Sequence, residues 1–160
     1  MDIKGTQRLR IGALIAIAAL TLVACGGDGD DAGGGGEAGG TVAATLQEWA
    51  VVPAEPSVSA GEVTFQIENT GEETHEFVVI KTDLDILDLP TEDDGSVAET
   101  GEGMEVVDEV EDVPSGESAE LTVTLESGPY ALICNIVEEE EGGELESHFQ
   151  MGMRTAFTVE

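Results

Sequence analysis

The sequence predicts an all-β sandwich. Short runs alternate apolar and polar residues with the period of two expected of half-buried strands. Glycine, asparagine, serine and proline punctuate those runs, and no segment sustains the 3.6-residue period of an amphipathic helix. Many short strands separated by turns favour two packed sheets.

The first apolar run, TVAATLQEWAVVP, ends at Pro53 and reads as an edge strand that stops at a turn. GEVTFQIENTG alternates more cleanly: Val63, Phe65 and Ile67 point one way, Thr64, Gln66 and Glu68 the other, and the turn falls at Asn69–Gly71. THEFVVIK is rich in β-branched and aromatic residues, as suits a strand near the middle of a sheet. From Asp83 to Glu117 acidic stretches broken by Pro90, Gly95, Gly101, Gly103, Pro114 and Gly116 predict loops with one short helix or minor strands. In SAELTVTLESGPYALICNI, Leu121, Val123 and Leu125 alternate with polar neighbours, a turn follows at Ser127–Pro129, and Tyr130, Leu132 and Cys134 share a face. RTAFTVE is the last strand.

Ahead of this domain, Lys4, Arg8 and Arg10 precede the apolar stretch IGALIAIAALTLVA, too short for a comfortable membrane span and read as a signal peptide over residues 1–24. Its end, Leu22, Val23, Ala24 and Cys25, resembles the bacterial lipobox, in which cleavage precedes the cysteine and the thiol is lipidated. Lipid on Cys25 would hold the protein at the membrane surface, outside the bilayer. Residues 25–40, rich in glycine and aspartate, read as a flexible tether, leaving 41–160 as one domain.

The formal charge is −30; without residues 1–24 two bases, Lys81 and Arg154, face 34 acids, a net charge of −32. Such a field repels nucleic acid and anionic headgroups, which excludes both as partners, and it suits a salt-rich habitat where screening is short-ranged. An acidic coat that serves solubility alone has the same composition.

Cys134 has no internal partner for a disulfide once Cys25 is assigned to lipid. A buried, inert thiol is a common fate for such a residue. Here, however, His148 and Met153 follow it and His75 lies on an earlier strand, in a chain with two histidines and four methionines. Two imidazoles, a thiolate and a weak thioether form the ligand set of a blue-copper electron-transfer centre. Met151 competes with Met153 for the axial position, and Met104 in the acidic connector reads as a packing residue. The glutamates after Cys134 lack the spacing of a calcium loop.

The domain resembles the cupredoxins, of the plastocyanin and azurin kind. The likeness rests on GEVTFQIENTGEETHEF with His75, on GPYALICN with Tyr130 four residues before Cys134, and on HFQMGMRTAFTV with His148 and Met153. It implies a Greek-key β-sandwich, one copper ion held by His75, Cys134, His148 and Met153, no enzymatic activity, and single-electron exchange outside the cytoplasm with a redox partner whose docking surface is basic. By the same analogy His148 presents its edge to solvent, beside an apolar contact from Phe149 and Met151.

Two departures from the family stand out. Thirteen residues, NIVEEEEGGELES, separate Cys134 from His148 where the family has a short loop, so they read as an insertion, a small hairpin turning at Gly142 and Gly143. Its six glutamates would favour oxidised copper. Glu76 stands where relatives often have a bracing asparagine, with Asn135 as the alternative brace. Two rival functions use the same residues differently: a copper carrier or storage lipoprotein, and a metal-free β-sandwich interaction module.

Overall fold

A computed structural model describes residues 39–139 and 141–160. The expected signal peptide, Cys25 and the expected tether up to residue 38 lie outside the described residues.

Two sheets face each other. The smaller contains β1 (Gly40–Gln47), β2 (Ala50–Pro53), β4 (Gly61–Asn69) and β7 (Ser118–Leu125), in the order β2-β1-β4-β7. The larger contains β3 (Ser57–Val58), β5 (His75–Thr82), β6 (Met104–Val113), β8 (Gly128–Ile133) and β11 (Arg154–Val159), in the order β3-β11-β8-β5-β6. The chain changes sheet between β2 and β3, β3 and β4, β4 and β5, β6 and β7, and β7 and β8. Most neighbours are antiparallel; β1 runs parallel to β4, and β3 to β11.

The alternation in β4 places Val63, Phe65 and Ile67 in the core against Leu121, Val123 and Leu125 of β7 and against Phe77, Leu132 and Phe157 from the opposite sheet. Phe65 lies 5.2 Å from Phe77 and 5.8 Å from Phe157 between ring centroids, a spacing that favours tilted and edge-on aromatic pairs. Strand β5 is buried on both faces. Val78 and Ile80, with Ala131 and Ile133 of β8, point away from the main core, and Leu89, Val97 and Phe149 cover them.

Three elements differ from the sequence reading. The expected edge strand over 41–53 is two strands, broken around Glu48 and Trp49, and β1 is internal while β2 takes the edge. The acidic connector contains a ten-residue strand, β6. Two register irregularities against β5 break its period of two, and its acidic side chains hid the remaining pattern. As an edge strand dense in carboxylates it discourages pairing with other chains. The connector also caps the second apolar cluster through Leu89 and Val97, so its loops are packed structure.

The insertion forms the expected hairpin: β9 (Val137–Glu139) pairs antiparallel with β10 (Leu145–Ser147), with Gly142 and Gly143 at positive φ in the turn. Glycine suits that turn because a Cβ disfavours this backbone region. A four-residue helix, α1 (His148–Met151), follows at once.

Candidate metal centre

Four segments converge at one end of the sandwich. His75 is the first residue of β5, delivered by a turn that Asn69 holds in place. The buried Asn69 side chain donates to the carbonyls of Glu73 and Val113, both at 2.7 Å, and accepts from the Gly71 amide at 2.9 Å. Cys134 follows β8 directly. His148 opens α1, whose N-cap is Ser147: the hydroxyl accepts from Gln150 N and donates to the Gly95 carbonyl at 2.7 Å.

Met153 lies between α1 and β11. Its amide donates to the His148 carbonyl and its carbonyl accepts from the Cys134 amide, both at 3.0 Å, so backbone contacts tie the three segments together. The hairpin returns to its starting point: His148 N donates to the Ile136 carbonyl at 3.0 Å. That closure keeps His148 beside Cys134 despite the long insertion.

All four expected ligands are fully buried. His75 Nδ1 lies 3.2 Å from His148 Nδ1, and Cys134 Sγ lies 3.4 Å from His148 Nδ1. Donor atoms of His75, Cys134 and His148 all fall within 4.8 Å of one another. Two ligands bonded at ~2.0–2.3 Å to one ion stand ~3.1–3.8 Å apart, so the donors are spaced to share a cation. Met153 packs in the same core cluster, whereas Met151 is 47 % exposed.

The electrostatics suit neutral imidazoles. Burial depresses the His75 pKa against the pull of Glu48, and burial together with the adjacent His75 depresses that of His148. Burial pushes the Cys134 thiol up to about 11, outweighing the amide hydrogen bonds from Glu76 and Ile136. The Glu76 amide meets Cys134 Sγ at 3.2 Å. Neutral imidazoles offer lone pairs to a cation, while the thiol must release its proton to become a ligand.

The alternative brace, Asn135, operates, and Glu76 supports it. Glu76 Oε2 accepts from Asn135 N at 3.2 Å, and burial raises the Glu76 pKa to about 7. The Asn135 side chain accepts from Val97 N at 2.6 Å and donates to the Val97 carbonyl at 3.1 Å, fastening the cysteine segment to the connector.

One expectation is overturned. His148 does not present its edge to solvent, because Trp49 meets it edge-on with 5.1 Å between centroids and Glu73 Oε2 stands 3.6 Å from its Nε2. Phe149 is likewise buried, within the second apolar cluster, so Met151 alone of the expected contact pair is exposed. Glu48, Trp49 and Glu73 went unnoticed in the sequence, and Asn69 was read only as a turn residue. A lone carboxylate in so acidic a chain carries no local signal, and only the fold brings Glu48 to His75.

The two-sheet sandwich thus gathers a buried histidine, cysteine and histidine at one end. The chain has the cupredoxin fold. It is similar to auracyanin from Roseiflexus castenholzii, at 18 % identity over 79 % of this chain and 99 % of that one, TM-score 0.50. It is similar to auracyanin A, a blue copper protein from Chloroflexus aurantiacus, at 18 % identity over 76 % of this chain and 100 % of that one, TM-score 0.50. Reduced rusticyanin matches at 19 % identity over 83 % of this chain and 89 % of that one, TM-score 0.50. No protein-family model and no curated protein sequence matches the chain.

Proposed function

We propose that this chain is a type 1 copper electron-transfer protein, lipid-anchored through Cys25 on the outer side of the cytoplasmic membrane. The observation that carries the reading is the buried convergence of His75 Nδ1, Cys134 Sγ and His148 Nδ1 in a cupredoxin fold. These three residues would hold one copper ion, with the buried Met153 as a fourth, weaker donor. Copper supplies a one-electron couple.

The residues around the centre do the rest. Soft sulfur favours the reduced state and imidazole suits both states, so a donor set locked by packing rearranges little on electron exchange. Full burial of the ligands opposes rapid metal exchange, which favours electron transfer over the carrier reading. All strong donor positions come from protein, which leaves no place for substrate and supports a role other than that of an enzyme. The half-buried Trp49, edge-on against His148, faces the partner in place of the imidazole. The acidic surface would steer a partner with a basic docking face and none of nucleic acid.

A Cu(II) titration of the mature chain in high salt, beside Cys134→Ser, tests the reading. An intense visible thiolate-to-copper band saturating at one copper, bleached by reductant and missing in the variant, is expected. Weak absorption that survives loss of Cys134 would replace this reading with the carrier or metal-free one.

A further inference from the structure

His148 has a second nitrogen, and it points away from the centre just described. Nε2 is fully buried and makes no hydrogen bond to any described residue. It faces Glu73 Oε2 at 3.6 Å, and Glu73, Glu146 and His148 each offer a ligand atom within 4.8 Å of the others. A direct N–H···O bond spans 2.7–3.2 Å, so 3.6 Å is too long for one. Two ligands on one tetrahedral zinc stand ~3.4 Å apart, given Zn–N and Zn–O bonds of ~2.0–2.2 Å. The gap therefore has the size of a shared ion.

We infer that His148 Nε2, Glu73 and Glu146 form a second, outer cation site, suited to zinc, on the far side of the imidazole that serves the inner centre. One nitrogen and two carboxylates are borderline-to-hard donors, and three protein ligands leave a fourth position for water. The two carboxylates are half-buried, so the site opens to solvent on that side.

The three ligands come from three segments: Glu73 from the turn before β5, Glu146 from β10 of the inserted hairpin, and His148 from α1. An ion there clips the insertion to the body of the domain, and such clips stabilise most when they close long loops. Glu146 thereby acquires a role that a short ligand loop would leave without a residue. Where Nδ1 serves the inner centre, zinc replaces the proton on Nε2, the proton leaves to solvent, and neither ion changes oxidation state.

The test titrates Zn²⁺ into the copper-loaded mature chain in a millimolar excess of Mg²⁺, which occupies the diffuse acidic field. One zinc per chain is expected, with the thiolate-to-copper band retained but shifted. Glu73→Gln or Glu146→Gln should weaken zinc by at least ~100-fold, since loss of a partner that only supports a ligand already costs ~10–100-fold. Glu120→Gln, which removes the same charge from β7, should leave it unchanged.

Absence of a stoichiometric zinc, equal weakening by Glu120→Gln, or bleaching with release of copper would overturn the outer site. If copper gives no thiolate band at all, the function proposed above fails by itself. The outer site is then read in Cys134→Ala, where a zinc equivalent sensitive to Glu146→Gln supports it and its absence overturns it.

Discussion

Glu48 Oε1 lies 3.1 Å from His75 Nε2, and the same oxygen accepts the amides of Glu72 and Glu73 at 2.9 and 3.0 Å. Burial pushes the Glu48 carboxyl up, but amide hydrogen bonds and His75 outweigh it and leave the group below its ordinary range. An ionised carboxylate only accepts, so Nε2 carries the proton and Nδ1 presents its lone pair to the centre. Glu48 thus selects the tautomer and holds the turn that delivers His75, the arrangement that orients metal-bound histidines.

Glu48→Gln keeps the shape and removes the charge. With copper bound, the reduced state should gain, raising the reduction potential by about 59 mV, one tenfold step for a one-electron couple. Voltammetry beside Glu120→Gln measures this; an equal rise in both variants would assign the effect to net charge and not to the His75 contact.

Arg154, one of only two cations after residue 24, lies over the Phe149 ring at 4.8 Å and donates to the Phe149 carbonyl in α1. A four-residue helix has little stability of its own, so this clamp supports the backbone that carries His148. Arg154→Leu should cost ~1–2 kcal/mol of unfolding free energy in urea and broaden the copper spectrum. Unchanged stability together with an unchanged spectrum would remove the clamp from the account.

How far the sequence alone reaches follows from these residues. Strands β4, β5, β7, β8 and β11 were legible because their alternation reports burial directly, and the donor set was legible because histidine, cysteine and methionine are rare in this chain. Strand β6 was not, since a bulged, acidic edge strand has no clean period. The supports of the centre stayed hidden for a different reason. Glu48 acts across 27 residues and Asn69 across 44, and neither contact leaves a trace in local composition. The burial of His148 was also beyond sequence reasoning, because the break between β1 and β2 sets Trp49 over it.

Glu109 on β6 keeps one carboxylate oxygen buried without a hydrogen bond, and burial followed by repulsion from Glu99, Glu111 and Asp108 raises its pKa. A carboxyl with a raised folded pKa favours the fold only while protonated. Its penalty is absent below the unfolded carboxylate range and grows as pH rises through the folded value. Glu109→Gln should therefore stabilise the metal-free protein by ~0.5–1 kcal/mol at neutral pH and leave it unchanged in acid. Urea denaturation across that range at fixed salt checks the sign; a gain that is the same at every pH would point to packing instead.

The inserted hairpin leaves and re-enters the domain at adjacent points, with Val137 directly opposite Ser147 and Ile136 bonded to His148. Cross-strand Cα partners stand ~4.5–5.5 Å apart and consecutive ones 3.8 Å, so a peptide bond can join Val137 to Ser147 with a small local adjustment. Deleting residues 138–146 leaves four residues between Cys134 and His148 and retains the Ser147 cap of α1. The thiolate-to-copper band should persist in this variant, because His75, Cys134, His148 and their backbone ties all lie outside the deleted segment. Shortening the loop from thirteen residues should add about 1 kcal/mol through closure entropy. The outer zinc equivalent should vanish with Glu146, separating the two sites in one protein. Loss of the copper band on deletion would mean instead that the hairpin itself holds the inner donors in register.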